Sequence, residues 1–201
     1  MSARYIIGIT GGIGSGKSAV TEYLRSKGHT VICADEVSRQ VVMPGQPGND
    51  AIRQALGDDF FDDDGMLDRK KLGAYVFEDS QRVLQLNSLL HPIIVARIFE
   101  TAQAQDGVVF IDAALLIQAD MTPRVDRVWV VAADKDMRIR RVMARDKCTE
   151  QDVLRRMDNQ MSDFDLIAYA DDVIDNSGGL TELYAQIDRL LESFKDSGEK
   201  P

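Results

Sequence analysis

Cysteine is nearly absent: Cys33 and Cys148 are the only two in 201 residues, and their spacing is not that of metal ligands. This excludes a disulfide framework and a Cys-type zinc site, and it leaves two thiols expected to be reduced in a cytoplasmic protein. Positive charge is scarce, with 24 Lys and Arg against 33 Asp and Glu and a net charge of −9. A chain this acidic is poorly matched to nucleic acid or to an anionic membrane surface, and neither partner is expected. No apolar run is long enough to span a membrane and no signal peptide is recognisable, which again points to the cytoplasm. The patterns G-x-S-x-G and H-E-x-x-H are missing, so a serine-hydrolase elbow and a zinc-protease helix are excluded. The guanine-reading N-K-x-D is missing as well.

Against these absences stands one dense motif. Gly11-Gly12-Ile13-Gly14-Ser15-Gly16-Lys17-Ser18 fits G-x-x-x-x-G-K-[ST], the phosphate-binding P-loop. Tyr5 to Thr10 before it is a short apolar, β-rich run, and Ala19 to Leu24 after it has helical apolar spacing. Strand, glycine loop and helix in that order are the context the motif requires. Gly12, Gly14 and Gly16 let the backbone curl, so that the amides of Gly12, Ile13, Gly14, Ser15 and Gly16 converge on phosphate oxygens. The helix that starts there adds its positive end. Lys17 is expected to reach the β- and γ-phosphates, and the Ser18 hydroxyl to bind Mg²⁺. Read instead as G-x-G-x-x-G from Gly12, the run places Lys17 where the last glycine of a dinucleotide loop belongs.

A length of 201 residues with 44% hydrophobic content suits one core carrying an inserted subdomain. Further strands are expected from His29 to Asp35, Val108 to Asp112, Asp126 to Val131 and Asp172 to Asp175. Their consecutive apolar positions suggest burial on both faces, as in a parallel sheet. Met43 to Gly48, with two prolines and two glycines, reads as a loop. Residues 49–105 read as mostly helical. A basic helix is expected over 135–147, a capping-box start at Thr149 to Asp152, and an amphipathic final helix carrying Leu180, Leu183, Tyr184, Ile187, Leu190, Leu191 and Phe194. The tail from Lys195 to Pro201 is expected to fray. The resulting fold class is α/β: a P-loop NTPase fold with a five-stranded parallel sheet flanked by helices and an inserted helical substrate domain. Residues 1–35 and 106–201 are expected to form the nucleotide-binding core, and 36–105 the insert.

Several carboxylates and cations are candidates beyond the loop. Asp35 closes the second expected strand on the P-loop edge of the sheet. It could be the base that takes a proton from an attacking hydroxyl, or the N-cap of the next helix. Asp112 ends the third strand, as a Walker B carboxylate near Mg²⁺ would, or as an ordinary turn residue. Arg138, Arg141 and Arg145 fall at i, i+3 and i+7 on one helix face, where they could clamp phosphates or form a solvated basic surface. The acidic run from Asp58 to Asp64 is not a calcium loop, because Phe60 and Lys71 stand where acids are needed. It reads as a solvated turn. Asp62-Asp63-Asp64-Gly65 matches the D-x-x-G of GTPases but follows no convincing strand. His91, before Pro92, has nothing local to make it a catalytic base.

Taken together, Ile9 to Ser18, Val31 to Asp35 with Arg39, Val41 to Gly45, Asp64 to Arg69, Leu86-Asn87 with His91-Pro92, Leu115-Leu116 and Ala170 to Asn176 resemble the dephospho-coenzyme A kinase family. The matches fall in family order over nearly the whole chain. The resemblance implies an ATP-dependent, Mg²⁺-dependent phosphotransferase acting on the ribose 3′-hydroxyl of dephospho-coenzyme A, with a nucleoside-monophosphate-kinase-like fold. It implies Asp35 as general base, Arg39 and the His91 region as contacts to the acceptor, the insert as the coenzyme-A-binding domain, and a helical lid over ATP at about 135–165 that carries Arg141 and Arg145. A monomer is expected. Three departures stand out. Ala114-Leu115-Leu116-Ile117-Gln118 replaces the family's Pro-Leu-Leu-Phe-Glu, Leu166 stands where an arginine is common, and Arg138 stands where a glutamine is common. Another small-molecule or nucleoside kinase, or an ATP-binding paralogue without kinase activity, is the alternative reading.

Overall fold

Five short runs of β-branched and aromatic residues lie side by side in the computed structural model, which describes residues 4–196. They are β1 (Tyr5–Thr10), β2 (Thr30–Cys33), β3 (Val108–Asp112), β4 (Arg127–Ala132) and β5 (Asp172–Asp175). The helices, in chain order, are α1 (Lys17–Ser26), α2 (Ala34–Gln40), α3 (Pro47–Leu56), α4 (Arg69–Phe77), α5 (Ser80–Gln103), α6 (Lys135–Asp146), α7 (Glu150–Asp158), α8 (Asp163–Ile167) and α9 (Leu180–Asp196). The strands form one parallel sheet in the order β2-β3-β1-β4-β5. β1 lies at its centre, with Ile9 opposite Asp112 on β3 and opposite Trp129 on β4. The loop that leaves β1 therefore emerges mid-sheet, where the carboxyl ends of parallel strands leave a crevice.

The chain divides into two compact units, one made of residues up to Ile32 and from Ala102 onward, the other of Cys33–Thr101. In the first, Ile7, Ile9, Phe110, Trp129, Val131 and Ile174 from the sheet pack with Val20 and Leu24 of α1 and with Leu183 and Ile187 of α9. All are essentially sealed from water, and each large apolar side chain so buried contributes about 1.5–3 kcal/mol before entropy is counted. Trp129 keeps its indole N–H satisfied by donating to Asp172 at 3.0 Å. Tyr23 of α1 stacks on Tyr184 of α9 at 3.9 Å and donates to Asp188 at 2.7 Å, which fixes α9 on the sheet. Leu180 departs from the apolar stripe expected of this helix: it is the first residue of α9 and is exposed. Of the expected fraying tail, residues 197–201 lie outside the described part of the structure.

In the second unit, Pro47 occupies the first turn of α3, where its missing N–H costs nothing, so the helix starts inside the expected loop. Asn49 is buried and donates to the carbonyls of Val42 and Gly65 at 3.0 and 3.1 Å. The acidic run is a turn: the Asp62 carboxylate accepts from the amides of Asp64 and Met66. Asp68 then caps α4 through the amides of Lys70 and Lys71. α5 runs through Pro92, which removes the donor that the Ser88 carbonyl would otherwise receive. Among the described residues, no helix is long and apolar enough to cross a membrane.

Candidate active site

The glycine loop and what closes on it belong to the first unit. Gly16 is the N-cap of α1, with φ of 91° and no side-chain cap, so the first-turn amides of α1 have no side-chain acceptor at the cap. Left-handed backbone alone would favour glycine there, and a Cβ on Gly16 would also lie 2.0 Å from Asn176 Nδ2. Asn176 directly follows β5 and is buried. Its Nδ2 donates to the Ser15 carbonyl at 2.8 Å, its amide donates to the Ala132 carbonyl at 2.8 Å, and its own carbonyl accepts from Arg141 Nη2 at 2.9 Å. One asparagine thus joins the loop, the end of β4 and an arginine of α6. The sequence analysis assigned it no role, and its place directly behind β5 is the signal that could have found it.

The other nitrogen of Arg141, Nη1, is buried and has no hydrogen-bond partner among the described residues, and so is the Ser15 hydroxyl. Nη1 lies 3.7 Å from where a Cβ on Gly16 would be. An unsatisfied buried donor costs about 1–3 kcal/mol. Here it stands beside an uncapped helix N-terminus, and an anion at that point would satisfy both. Lys17 Nζ lies 3.6 Å from Asp112 Oδ1, so the carboxylate that ends β3 stands beside the loop lysine. Ser18 follows on α1 with an exposed side chain. Among the described residues no cluster of three or more His, Cys, Asp or Glu could hold a metal by itself. Mg²⁺ sites of this chemistry use one or two protein oxygens and complete themselves with phosphate and water, and the Ser18 hydroxyl and Asp112 carboxylate suit that donor set.

The three arginines of α6 do not share one environment. Arg138 is only 5% exposed. Its Nε donates to the Ile13 carbonyl at 2.9 Å and its Nη1 donates to both Asp163 oxygens. The spacing suggested a phosphate clamp; instead the guanidinium is engaged by a loop carbonyl and neutralised by a carboxylate. Arg145 is exposed and pairs with Asp146, which also pairs with Arg156. The Asp146 carboxylate holds the Arg145 pKa up, and Arg145 chiefly holds the Asp146 pKa down. Only Arg141 presents a buried, uncommitted nitrogen at the loop. Leu166 is buried rather than facing the lid surface. Gln160, ahead of α8, accepts from the Ile13 amide at 2.8 Å, a contact the sequence did not suggest.

Loss of the family proline at Ala114 leaves the post-β3 turn formed. The Thr10 hydroxyl donates to the Ala114 carbonyl at 3.3 Å and the Leu116 amide to the Ala113 carbonyl at 3.3 Å. Leu116 is fully buried against Gly8, where a Cβ would meet its Cδ2 at 2.6 Å.

In the second unit, β2 stops at Cys33 and α2 begins at Ala34, so Asp35 lies in the first turn of a helix rather than at the end of a strand. It is not the N-cap: Cys33 holds that position without a side-chain bond. The Asp35 carboxylate is exposed and has no ion pair or hydrogen bond among the described residues. Arg39 lies one turn on, along the same helix face, also exposed. His91 is half-buried midway along α5. A free carboxylate and a free guanidinium on one face suit a polar substrate better than a structural pair.

Residues 5–182 match the family model described as dephospho-CoA kinase. A dephospho-CoA kinase of Streptomyces avermitilis is 42% identical over 197 residues, covering 97% of this chain and 96% of its own. One of Corynebacterium glutamicum is 40% identical over 189 residues, covering 92% of this chain and 94% of its own. A Thermus thermophilus protein known from a crystal structure superposes with a TM-score of 0.80 at 30% identity, over 96% of this chain and 98% of its own.

Proposed function

The chain belongs to the dephospho-CoA kinase family, and from that premise we propose how its residues divide the work. It is an ATP-dependent kinase that phosphorylates dephospho-CoA, giving CoA and ADP at the final step of CoA biosynthesis. The 3′-oxygen of the acceptor ribose bonds to the γ-phosphorus, the bond from that phosphorus to the β,γ-bridging oxygen breaks, and the hydroxyl proton passes to a base.

Asp35 is that base. Its carboxylate is exposed and makes no ion pair or hydrogen bond among the described residues, so it is available to accept the proton. Arg39 and the His91 region hold the acceptor. The amides of Gly12 to Gly16 receive the phosphates, Lys17 spans the β- and γ-groups, and Arg141 supplies the donor that the loop lacks. Ser18 and Asp112 would hold Mg²⁺, which neutralises phosphate charge when bound. Arg145 joins the phosphates by leaving Asp146. The enzyme acts in the cytoplasm, a reading that the two free cysteines support, and is taken to work as a monomer.

One observation carries this reading: the buried Arg141 Nη1 without a partner, beside the uncapped start of α1. Incubating dephospho-CoA with ATP and Mg²⁺ and weighing the product tests it. The expected product gains one phosphate at the 3′ position and is lost in Lys17→Ala. No product while ATP still binds would shift the assignment to another acceptor or to a non-catalytic ATP-binding protein.

A further inference from the structure

Ile13 is at the apex of the loop, and both of its backbone groups are held from outside the loop. Its amide donates to Gln160 Oε1 at 2.8 Å, and its carbonyl accepts from Arg138 Nε at 2.9 Å. Arg138 reaches further. A Cβ on Gly12 would lie 2.4 Å from its Nη2, and a Cβ on Gly14 would lie 2.7 Å from its carbonyl oxygen. Three successive residues, Gly12, Ile13 and Gly14, rest on this one buried arginine. Its charge is answered by Asp163, the first residue of α8, through Nη1 and both carboxylate oxygens.

We infer that Arg138 and Asp163 are a positioning pair that sets the peptide planes at the loop apex, so that binding of the triphosphate depends on the segment from Gln160 to Asp163. The peptide unit is planar and trans, so its N–H and C=O point in opposite directions. Holding the Ile13 carbonyl on Arg138 therefore aims the Gly14 amide away from Arg138. Holding the Ile13 amide on Gln160 aims the Gly12 carbonyl the other way, where it accepts from the Ser15 amide at 3.1 Å. Glycine alone would let these planes rotate at little cost, since Gly14 already has φ of 78°. A loop that binds anions through amides needs those amides aimed before the ligand arrives.

Asp163 has two effects. It orients the guanidinium by a bidentate contact, and it cancels a buried positive charge that would otherwise be left without a partner. Neither residue is assigned a contact with the acceptor, and neither needs to touch phosphate. Their substitution should weaken nucleotide binding and leave acceptor binding alone.

The inference rests on the loop binding ATP, so the experiment begins with the unsubstituted enzyme. ATP affinity by calorimetry, with KM for ATP and for dephospho-CoA, is measured for the wild type, Arg138→Ala, Asp163→Asn and the double variant, each well below its melting temperature. The expected result is an ATP affinity about tenfold weaker in each single variant, as for one lost charge-assisted hydrogen bond. KM for dephospho-CoA stays at the wild-type value, and the double variant is no worse than the weaker single. Arg138→Lys, which keeps the charge but cannot grip Ile13 and both Asp163 oxygens at once, should recover only part of the loss. Wild-type ATP affinity in a folded Arg138→Ala or Asp163→Asn overturns the inference. So does equal weakening for ATP and acceptor, which marks a general structural role. Where Arg138→Ala does not fold, Asp163→Asn and Arg138→Lys decide by the same criteria. Failure of the wild type to bind ATP would overturn both this inference and the proposed function, whereas unchanged variants would overturn this inference alone.

Discussion

Lys17 and Asp112 face each other across 3.6 Å, the loop lysine against the carboxylate that ends β3. In the absence of phosphate each partly neutralises the other. On the proposed reading Lys17 would turn to the triphosphate and the Asp112 carboxylate would help to hold the cation. Asp112→Asn should therefore raise the Mg²⁺ concentration needed for half-maximal rate and lower kcat by about 10–100-fold, with Lys17 still in place. A Mg²⁺ titration of the initial rate checks this, and an unchanged half-saturation point would remove Asp112 from the cation's neighbourhood.

Asp35→Asn keeps the shape of the side chain and removes its basicity. We expect kcat to fall by about 10²–10⁴ while ATP affinity stays near the wild type. Calorimetry alongside steady-state rates separates the two, and a near-normal kcat would take the base role away from Asp35.

Arg141 and Arg145 should differ sharply. Arg141 presents a buried unpartnered nitrogen, so Arg141→Ala should raise KM for ATP by about tenfold or more. Arg145 is exposed and must first leave Asp146, so Arg145→Ala should cost only a few-fold. Equal effects would mean that Arg145 contacts phosphate as closely as Arg141.

Acidification should act on the junction of α1 and α9. The Tyr23 hydroxyl, and then Lys27, hold the Asp188 carboxyl below its ordinary 3.8. A depressed folded pKa gives stability that is present above the unfolded value and is lost as pH falls through the folded one. Tyr23→Phe should thus be less stable than wild type at neutral pH, and the gap should narrow below about pH 4. Urea unfolding at both conditions measures it, and a gap that stays constant on acidification would contradict the linkage. At the opposite extreme, Lys27, raised by Tyr23 and Asp188, gives up its contribution only as pH climbs above its ordinary 10.5.

The glycine loop, the strands β3 and β5, and the Thr149–Asp152 capping box were legible because each is a local matter: a spacing, an apolar run, a cap. The boundary at Asp35 was not. Val31-Ile32-Cys33-Ala34 is apolar throughout, and periodicity does not say where such a run changes from strand to helix. The arginine row failed for a different reason. Spacing puts Arg138, Arg141 and Arg145 on one face, but their partners are Asp163, Asn176 and Asp146, and two of those three come from distant segments. Asp163 carries no motif, and only its pairing with Arg138 gives it a purpose. Leu166 was read as a missing charge, whereas its burial makes it part of the packing of α8.

The bond from Asn176 to the Ser15 carbonyl also sets a timetable for synthesis. The clamp on the glycine loop is made about 160 residues after the loop itself. Translation at about 5–20 residues per second puts a gap on the order of ten seconds between the two. Within that interval β1 also waits for β3 and β4, whereas residues 33–101 emerge as one continuous stretch. A nascent chain released before residue 176 would carry the whole P-loop motif and lack the contact that shapes it. The order of synthesis therefore separates the making of the loop from the making of the asparagine that ties Ser15 to the end of β4.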